Sequence, residues 1–332
     1  MLQAWVQVAE APNLLSGVCL RPFSTLKAGG DAEQFMVARS LNELADSCMW
    51  AQGRKIHTTI LGSGSNVLPS DDGVPGLTIV NQATRIDVRS NGEVIAETGC
   101  SFQELFLKTA QANLHGLEFA VGIPGTLGGA LVSNAGAYRS CVSEFLTRLE
   151  VVMDGRREWV APGWMQFSYR DSLLRREDPP QAVVLRVEMR LPAGAPKQIY
   201  DEAREYQRQR ISKQPPSPSA GSFFKNVNNR GLAESLVALP GPLKSAGIVP
   251  AGYLIEAAGL KGFRLGGAML GQRHANFILN VGDASAFEIR RLAQLAKKRV
   301  HSVFGVTLEE EVLYLGDWSR FEAESIDQQS PS

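Results

Sequence analysis

From Gly122 to Tyr138 the sequence reads GIPGTLGGALVSNAGAY, an apolar run broken by glycine at 122, 125, 128, 129 and 136 and free of charged side chains. Glycine inside a helix or strand is less favourable than alanine by about 0.5–1 kcal/mol, so a segment that keeps this many is bringing its backbone close to something flat or bulky. A buried cofactor is one such object, and a close crossing of two strands is another. A second loop, LGSGSNVL from Leu61 to Leu68, follows directly on a β-like run. Its glycines and serines around Asn66 let successive amides point one way, which makes a nest for a pyrophosphate. Taken alone, a tight Gly-Ser turn is structural more often than ligand-binding. It is not a dinucleotide fingerprint, because Val67 stands where GxGxxG needs its third glycine, and no GK[ST] occurs in the chain.

The 332 residues suit two or three packed units. Three helix starts carry Ser-x-x-Glu, in which each side chain satisfies an orphan amide of the first turn: Ser40 with Glu43, Ser101 with Glu104, Ser285 with Glu288. The helices they open are predicted to reach Gly53, Asn113 and His301. In the last, Phe287, Leu292, Leu295, Ala296 and Val300 share about one face. Strands are expected at residues 33–38, 56–61, 77–80, 85–89, 94–98, 148–153, 182–191 and 308–315. The mixture is α+β with no regular βαβ alternation. A charged, helix-like stretch from Tyr200 to Arg210 runs into KQPPSPSAGSFFKN (213–226), whose prolines and glycine end a helix, so a domain boundary is placed near residue 205.

Lys plus Arg equals Asp plus Glu at 34 each, which leaves no global field to hold nucleic acid or an anionic membrane. Cys19, Cys48, Cys100 and Cys141 form no CxxC pair and no metal-ligand spacing, so they read as free thiols in a reducing compartment, and no metal is expected. No basic start leads into an apolar core, and no stretch reaches the roughly 18 apolar residues that a membrane span needs. A cytoplasmic protein is the expectation.

LGSGSNVLPSDDG, GLEFAVGIPGTLGGALVSNAGAY, FSYRDS, KQPPSPSAGSFFKN, LIEAAGLKG, HANFILN and LEEEV occur in the order seen in the UDP-N-acetylenolpyruvoylglucosamine reductases, and the chain resembles that family over roughly residues 22 to 316. The resemblance implies an α+β protein with an FAD-binding domain of the vanillyl-alcohol-oxidase (PCMH) type, made of two subdomains, over residues 1–204. A C-terminal α+β substrate-binding domain would cover 205–316 and a polar tail 317–332. About twenty residues separate Leu191 from Lys213, too few for an extra substrate loop, so the shorter type II form is expected. The implied activity is that of a UDP-N-acetylmuramate dehydrogenase in peptidoglycan precursor synthesis: NADPH reduces bound FAD, which reduces the enolpyruvyl group of UDP-N-acetylglucosamine enolpyruvate. A monomer is expected.

The resemblance also implies roles for particular residues. Arg170 would hold the substrate carboxylate and developing enolate, Ser222 would be the proton donor, and Glu311, the glutamate that directly precedes Val312, would be the catalytic carboxylate. FAD would be held by Gly62, Ser63, Gly64, Ser65 and Asn66, and by Gly122, Ile123, Pro124, Gly125, Gly128, Gly129, Asn134, Ala135 and Gly136. Tyr169, Arg210, Lys213, Lys225, Asn226 and His274 would meet the substrate; His274 reads equally well as a core histidine. Lys225 is also a local cation that could favour an alkoxide at Ser222. Val227, Arg139 and Pro69 depart from the family pattern, where proline, glycine and an aliphatic residue are usual.

Overall fold

The computed structural model describes residues 11–211 and 214–327. The chain divides into two compact units: Ala32–Ser63 and Pro75–Ile211, with the described residues up to Val18, form the first, whereas Cys19–Asp31, Gly64–Val74 and the described residues beyond Ile211 form the second. The break therefore falls after Ile211 and not near 205, because the charged stretch is one continuous helix, Pro196–Ile211, that a boundary at 205 would cut. The second unit also takes two segments from the first third of the chain. No sequence signal for that exchange was read, since it is set by tertiary packing.

The first unit has two cores. A four-stranded sheet runs Leu15–Cys19, Asp31–Ala38, Val74–Asn81, Thr58–Leu61, with the last two strands parallel and Thr58 opposite Leu77. Helix α1 (Leu41–Gly53) covers it. Its N-cap is Ser40, whose hydroxyl accepts the Glu43 amide, and it buries Leu44, Ala45, Cys48 and Ala51. A five-stranded antiparallel sheet follows in the order Arg156–Val160, Leu146–Met153, Ala182–Arg190, Glu93–Glu97, Ile86–Val88. Val183 and Leu185 pack into the core of α1, while Val184, Val187 and Met189 pack into the core of helix α2 (Phe102–Gln111). A strand in strict alternation would put 185, 187 and 189 on one face. The register shifts between the pairs Glu150–Arg186 and Val151–Val184, leaving Leu185 as the extra residue of a bulge, and the bulge exchanges the faces. The buried Thr98 hydroxyl lies 2.8 Å from the Val184 carbonyl and 3.0 Å from that of Leu185, at the bulge. Helices α3 (Leu127–Val132) and α4 (Pro196–Ile211) complete this unit.

The second unit packs a sheet ordered Ser219–Ser222, Phe277–Asn280, Ala268–Leu270, Arg264–Leu265. Around it lie helices α5 (Arg230–Ser235), α6 (Gly241–Ala246), α7 (Ala251–Ala257) and α8 (Ala286–Phe304). Ser285 and Glu288 close the reciprocal capping box expected from the sequence, and Asp71 accepts the next two amides, Ala286 and Phe287, at 3.0 and 2.8 Å. The stretch 308–315 is a strand only over Leu313–Leu315, which pairs in parallel with Val67–Pro69 as a ribbon of two. The preceding residues cross Phe224 through a single bridge at Glu310. The expected polar tail is corrected too: helix α9 (Ser319–Asp327) follows Gly316, and Trp318 and Phe321 are buried in the core of this unit. Its first residues, WSRF, carry the apolar pair that docks it.

Candidate active site

Arg170 belongs to the first unit, and Ser222 and Glu311 to the second.

In the first unit the glycine-rich segment is shaped by close approaches. The Thr126 hydroxyl accepts the Gly129 amide and caps α3. A Cβ added to Gly62 would lie 2.2 Å from that same hydroxyl, so the LGSG turn presses on the start of α3 and needs glycine to do so. Gly128 donates to the Thr98 carbonyl at 2.8 Å. Gly129 differs: a Cβ there meets nothing nearer than 3.8 Å, although the sequence spends a glycine on a helical position. Asn134, at φ 41° and buried, donates through Nδ2 to the Ser168 carbonyl at 2.9 Å, and its Oδ1 is buried with no hydrogen-bond partner.

Arg170 also lies at positive φ, 54°, and donates through Nη2 to the Gly136 carbonyl at 2.6 Å, with its guanidinium 5.5 Å from the Tyr169 ring centroid. Gly136 sits in a hairpin so tight that a Cβ would come 2.4 Å from the Ser140 carbonyl. Next to it Tyr138 stacks on Tyr206 of α4, centroids 3.6 Å apart. Arg210, at the end of α4, lies 5.8 Å from the Tyr138 centroid and donates to the Phe119 carbonyl at 3.0 Å, while its Nε is buried without a partner. Burial holds its pKa below the usual guanidinium range, and the charge of Arg170 pushes the same way against Tyr138. Two arginines near a glycine-rich backbone with no acidic side chain between Gly122 and Tyr138 make a place for an anion.

In the second unit Ser222 ends its strand beside Gly221, at φ 76°, and precedes Phe223 and Phe224, both fully buried. Their ring centroids are only 5.3 Å apart, which a flat pleat would not allow, so the chain has left the extended pleat by these residues. The segment holding Glu311 runs alongside: the Glu311 amide donates to the Phe223 carbonyl at 2.8 Å, and the Lys225 amide to the Glu309 carbonyl at 2.8 Å. Asn66, expected at the flavin, donates through Nδ2 to the Glu311 carbonyl at 2.9 Å. The Glu run is not a uniform solvated face. Lys225 pairs with Glu309 at 3.4 Å and Lys297 with Glu310 at 2.7 Å.

Two substrate candidates have local duties. Asn226 Oδ1 accepts the first amide of α7, from Ala251, at 3.3 Å, and His274 Nδ1 accepts the Asn276 amide at 3.3 Å with its ring on Phe277. Lys213 lies outside the described residues. Sequence reasoning passed over Asn276, which holds the Ser222 strand with three bonds: its carbonyl accepts the Phe223 amide at 2.7 Å, and its side chain both accepts from and donates to Phe224, at 3.0 and 2.9 Å. An asparagine between Ala275 and Phe277 in an apolar run is the signal that could have found it, because a buried amide must have its partners. Tyr206, unmarked in the charged helix, was passed over as well.

Comparison with known proteins follows these divisions. Residues 32–160 match a family described as FAD binding domain, and residues 212–315 one described as UDP-N-acetylenolpyruvoylglucosamine reductase, C-terminal domain. Curated proteins named UDP-N-acetylenolpyruvoylglucosamine reductase are similar over nearly their whole length. That of Synechococcus sp. is 38% identical, covering 92% of each chain, and that of Caldicellulosiruptor bescii is 39% identical over 90% of each. The crystal structure of the Thermus caldophilus UDP-N-acetylenolpyruvylglucosamine reductase superposes with a TM-score of 0.71 at 30% identity, covering 91% of this chain and 98% of that one.

Proposed function

The chain belongs to the UDP-N-acetylenolpyruvoylglucosamine reductases, and from that membership we propose how its own residues carry the reaction. The reaction is the NADPH-dependent reduction of UDP-N-acetylglucosamine enolpyruvate to UDP-N-acetylmuramate, a step of peptidoglycan precursor synthesis. When bound, FAD supplies the hydride that reaches the vinyl carbon of the enolpyruvyl ether.

The residues present fit that cofactor. Gly129 keeps open space where a side chain would stand, Asn134 offers a buried acceptor with no partner, and neither Leu61–Leu68 nor Gly122–Tyr138 holds an acidic group to oppose a pyrophosphate. Gly62, Ser63, Gly125, Gly128, Gly129, Asn134 and Gly136 would line it. Hydride addition leaves enolate character beside the substrate carboxylate. Arg170, held on the Gly136 carbonyl through Nη2, brings its positive charge to those oxygens, with Arg210 as a second cation. Ser222 gives the proton to the enolate carbon, and Glu311 acts in that protonation or orients its neighbours for it.

The observation that carries the protonation step is the bond from the Glu311 amide to the Phe223 carbonyl, which keeps the carboxylate-bearing residue beside the serine-bearing strand. Lys225 pairs with the exposed Glu309 at 3.4 Å and, three residues past Ser222, is the local cation of this strand. The same reading carries a monomer working in the cytoplasm with NADPH as donor. Among the described residues no helix is long and apolar enough to cross a membrane. The test is direct: purified protein should be yellow and oxidise NADPH only when UDP-N-acetylglucosamine enolpyruvate is added. Colourless protein that stays so with FAD would end the proposal.

A further inference from the structure

Past the stretch that matches the C-terminal family, the chain folds back on the ribbon that follows Glu311. That ribbon is weak on its own terms: among the described residues Leu313–Leu315 pairs with no strand besides Val67–Pro69, and a two-stranded parallel pair needs outside packing to persist. It also has two tasks, because Asn66 binds the Glu311 carbonyl at 2.9 Å and accepts the Leu313 amide at 3.0 Å.

Leu68 and Val312 are buried in the core of the unit, and on the other side the packing comes from one residue of α8 and the start of α9. The Arg290 guanidinium lies 4.5 Å from the Tyr314 centroid, 4.5 Å from Trp318 and 4.6 Å from Phe321, with its side chain only 15% exposed. Its Nη2 donates to Glu322 Oε1 at 3.3 Å, whereas its Nη1 is buried with no hydrogen-bond partner and faces the rings. Trp318 donates Nε1–H to the Leu315 carbonyl at 3.1 Å, at the ribbon's end, and packs on Phe287 and Phe321. Arg320 pairs with Asp72, just past the other strand, and Arg291 with Glu324. Glu310, next to Glu311, is held by Lys297 of the same helix α8.

We propose that Trp318, seated on Arg290, is a positioning residue for Glu311: it clamps the ribbon that fixes Glu311 against Phe223 and Asn66. The proposal rests on the catalytic reading of Glu311. It acts through the backbone of 311–315 and touches no reacting atom.

The test uses the full-length protein carrying Trp318→Ala, Trp318→Phe or Arg290→Met, each assayed per bound flavin well below its unfolding temperature. Two readouts are taken. Amide hydrogen exchange at Glu311 and Leu313 should speed by about tenfold or more in Trp318→Ala and remain near wild type in Trp318→Phe, with α7 amides unmoved. Substrate-driven reoxidation should slow by about ten- to a hundredfold while reduction by NADPH changes less than about twofold, as expected for a displaced group near the acceptor. In a Glu311→Gln background the same Trp318→Ala change should add little, since both act at one place. Unchanged exchange at Glu311, or full additivity with Glu311→Gln, overturns the clamp. If Glu311→Gln alone leaves reoxidation untouched, the catalytic reading of Glu311 falls instead. Should Trp318→Ala not fold, Arg290→Met decides by the same criteria, with Trp318→Phe as the near-wild-type reference.

Discussion

The amide of Glu311 donates to the carbonyl of Phe223 at 2.8 Å, so two stretches nearly ninety residues apart in sequence are joined one residue from Ser222. The strand on the other side of Phe223 is held by Asn276, whose side chain satisfies both polar groups of Phe224. The serine is therefore carried on a backbone fixed from two sides.

That bracket predicts the effect of removing Asn276. Asn276→Ala leaves a buried amide and carbonyl of Phe224 without partners, and each such orphan costs about 1–3 kcal/mol. Urea unfolding should show a loss of about 2–4 kcal/mol, and bound flavin should be reduced by NADPH more nearly normally than it is reoxidised by substrate. A stability loss under about 0.5 kcal/mol would mean that the bracket is not what holds the strand.

Two glycines separate packing from ligand binding. Gly62→Ala places a methyl 2.2 Å from the Thr126 hydroxyl and should lower the melting temperature of flavin-free protein, at about 1–3 kcal/mol of strain. Gly129→Ala meets nothing nearer than 3.8 Å and sits in a helix, so the flavin-free protein should keep or gain stability, by up to about 1 kcal/mol. Its FAD affinity should nonetheless drop, measured by flavin fluorescence titration. Undiminished affinity would show that the open space at Gly129 is not for the cofactor.

Arg170→Lys keeps the charge and loses the fork. With one donor already engaged by the Gly136 carbonyl, a lysine cannot also present paired donors to a carboxylate. Stopped-flow reoxidation by substrate should slow about tenfold or more, with Arg170→Ala slower still and NADPH-driven reduction much less affected. Equal performance of Lys and Arg would remove the bidentate role.

Burial pushes the thiols of Cys48 and Cys100 up to about 12 from an ordinary value near 9. Folded, they remain neutral where the unfolded chain ionises. Their contribution is thus fully present below about pH 9 and is lost as pH rises from there towards 12. The melting temperature should fall across that window, and Cys48→Ala should make the fall shallower. Identical slopes for wild type and variant would contradict the assignment. In native protein at pH 8 a thiol reagent should label exposed Cys19 and spare both buried thiols.

Local rules carried far in this chain. Ser40, Ser101 and Ser285 each cap the helix their spacing announced, and the α+β class followed from strands and helices found within a few residues of their expected places. What failed was set at a distance. The exchange of Cys19–Asp31 and Gly64–Val74 into the second unit leaves no periodicity to read, and LEEEV gives no hint that Asn66 will bind it from the other end of the chain. WSRF looked like the start of a polar tail because its burial depends on Arg290, whose charge on α8 gave no warning that three rings would enclose it. The glycine-rich segment was legible as a backbone kept bare, but only the structure separates Gly62, crowded by protein, from Gly129, which is not.

The central claim, that the Ser222 hydroxyl delivers the proton that completes reduction, is tested by Ser222→Ala in rapid-mixing experiments that separate the two halves of turnover. Flavin reduction by NADPH should proceed at close to the wild-type rate, while reoxidation by UDP-N-acetylglucosamine enolpyruvate should slow by about a hundredfold or more. Reoxidation at the wild-type rate, or both halves slowed alike, would contradict it.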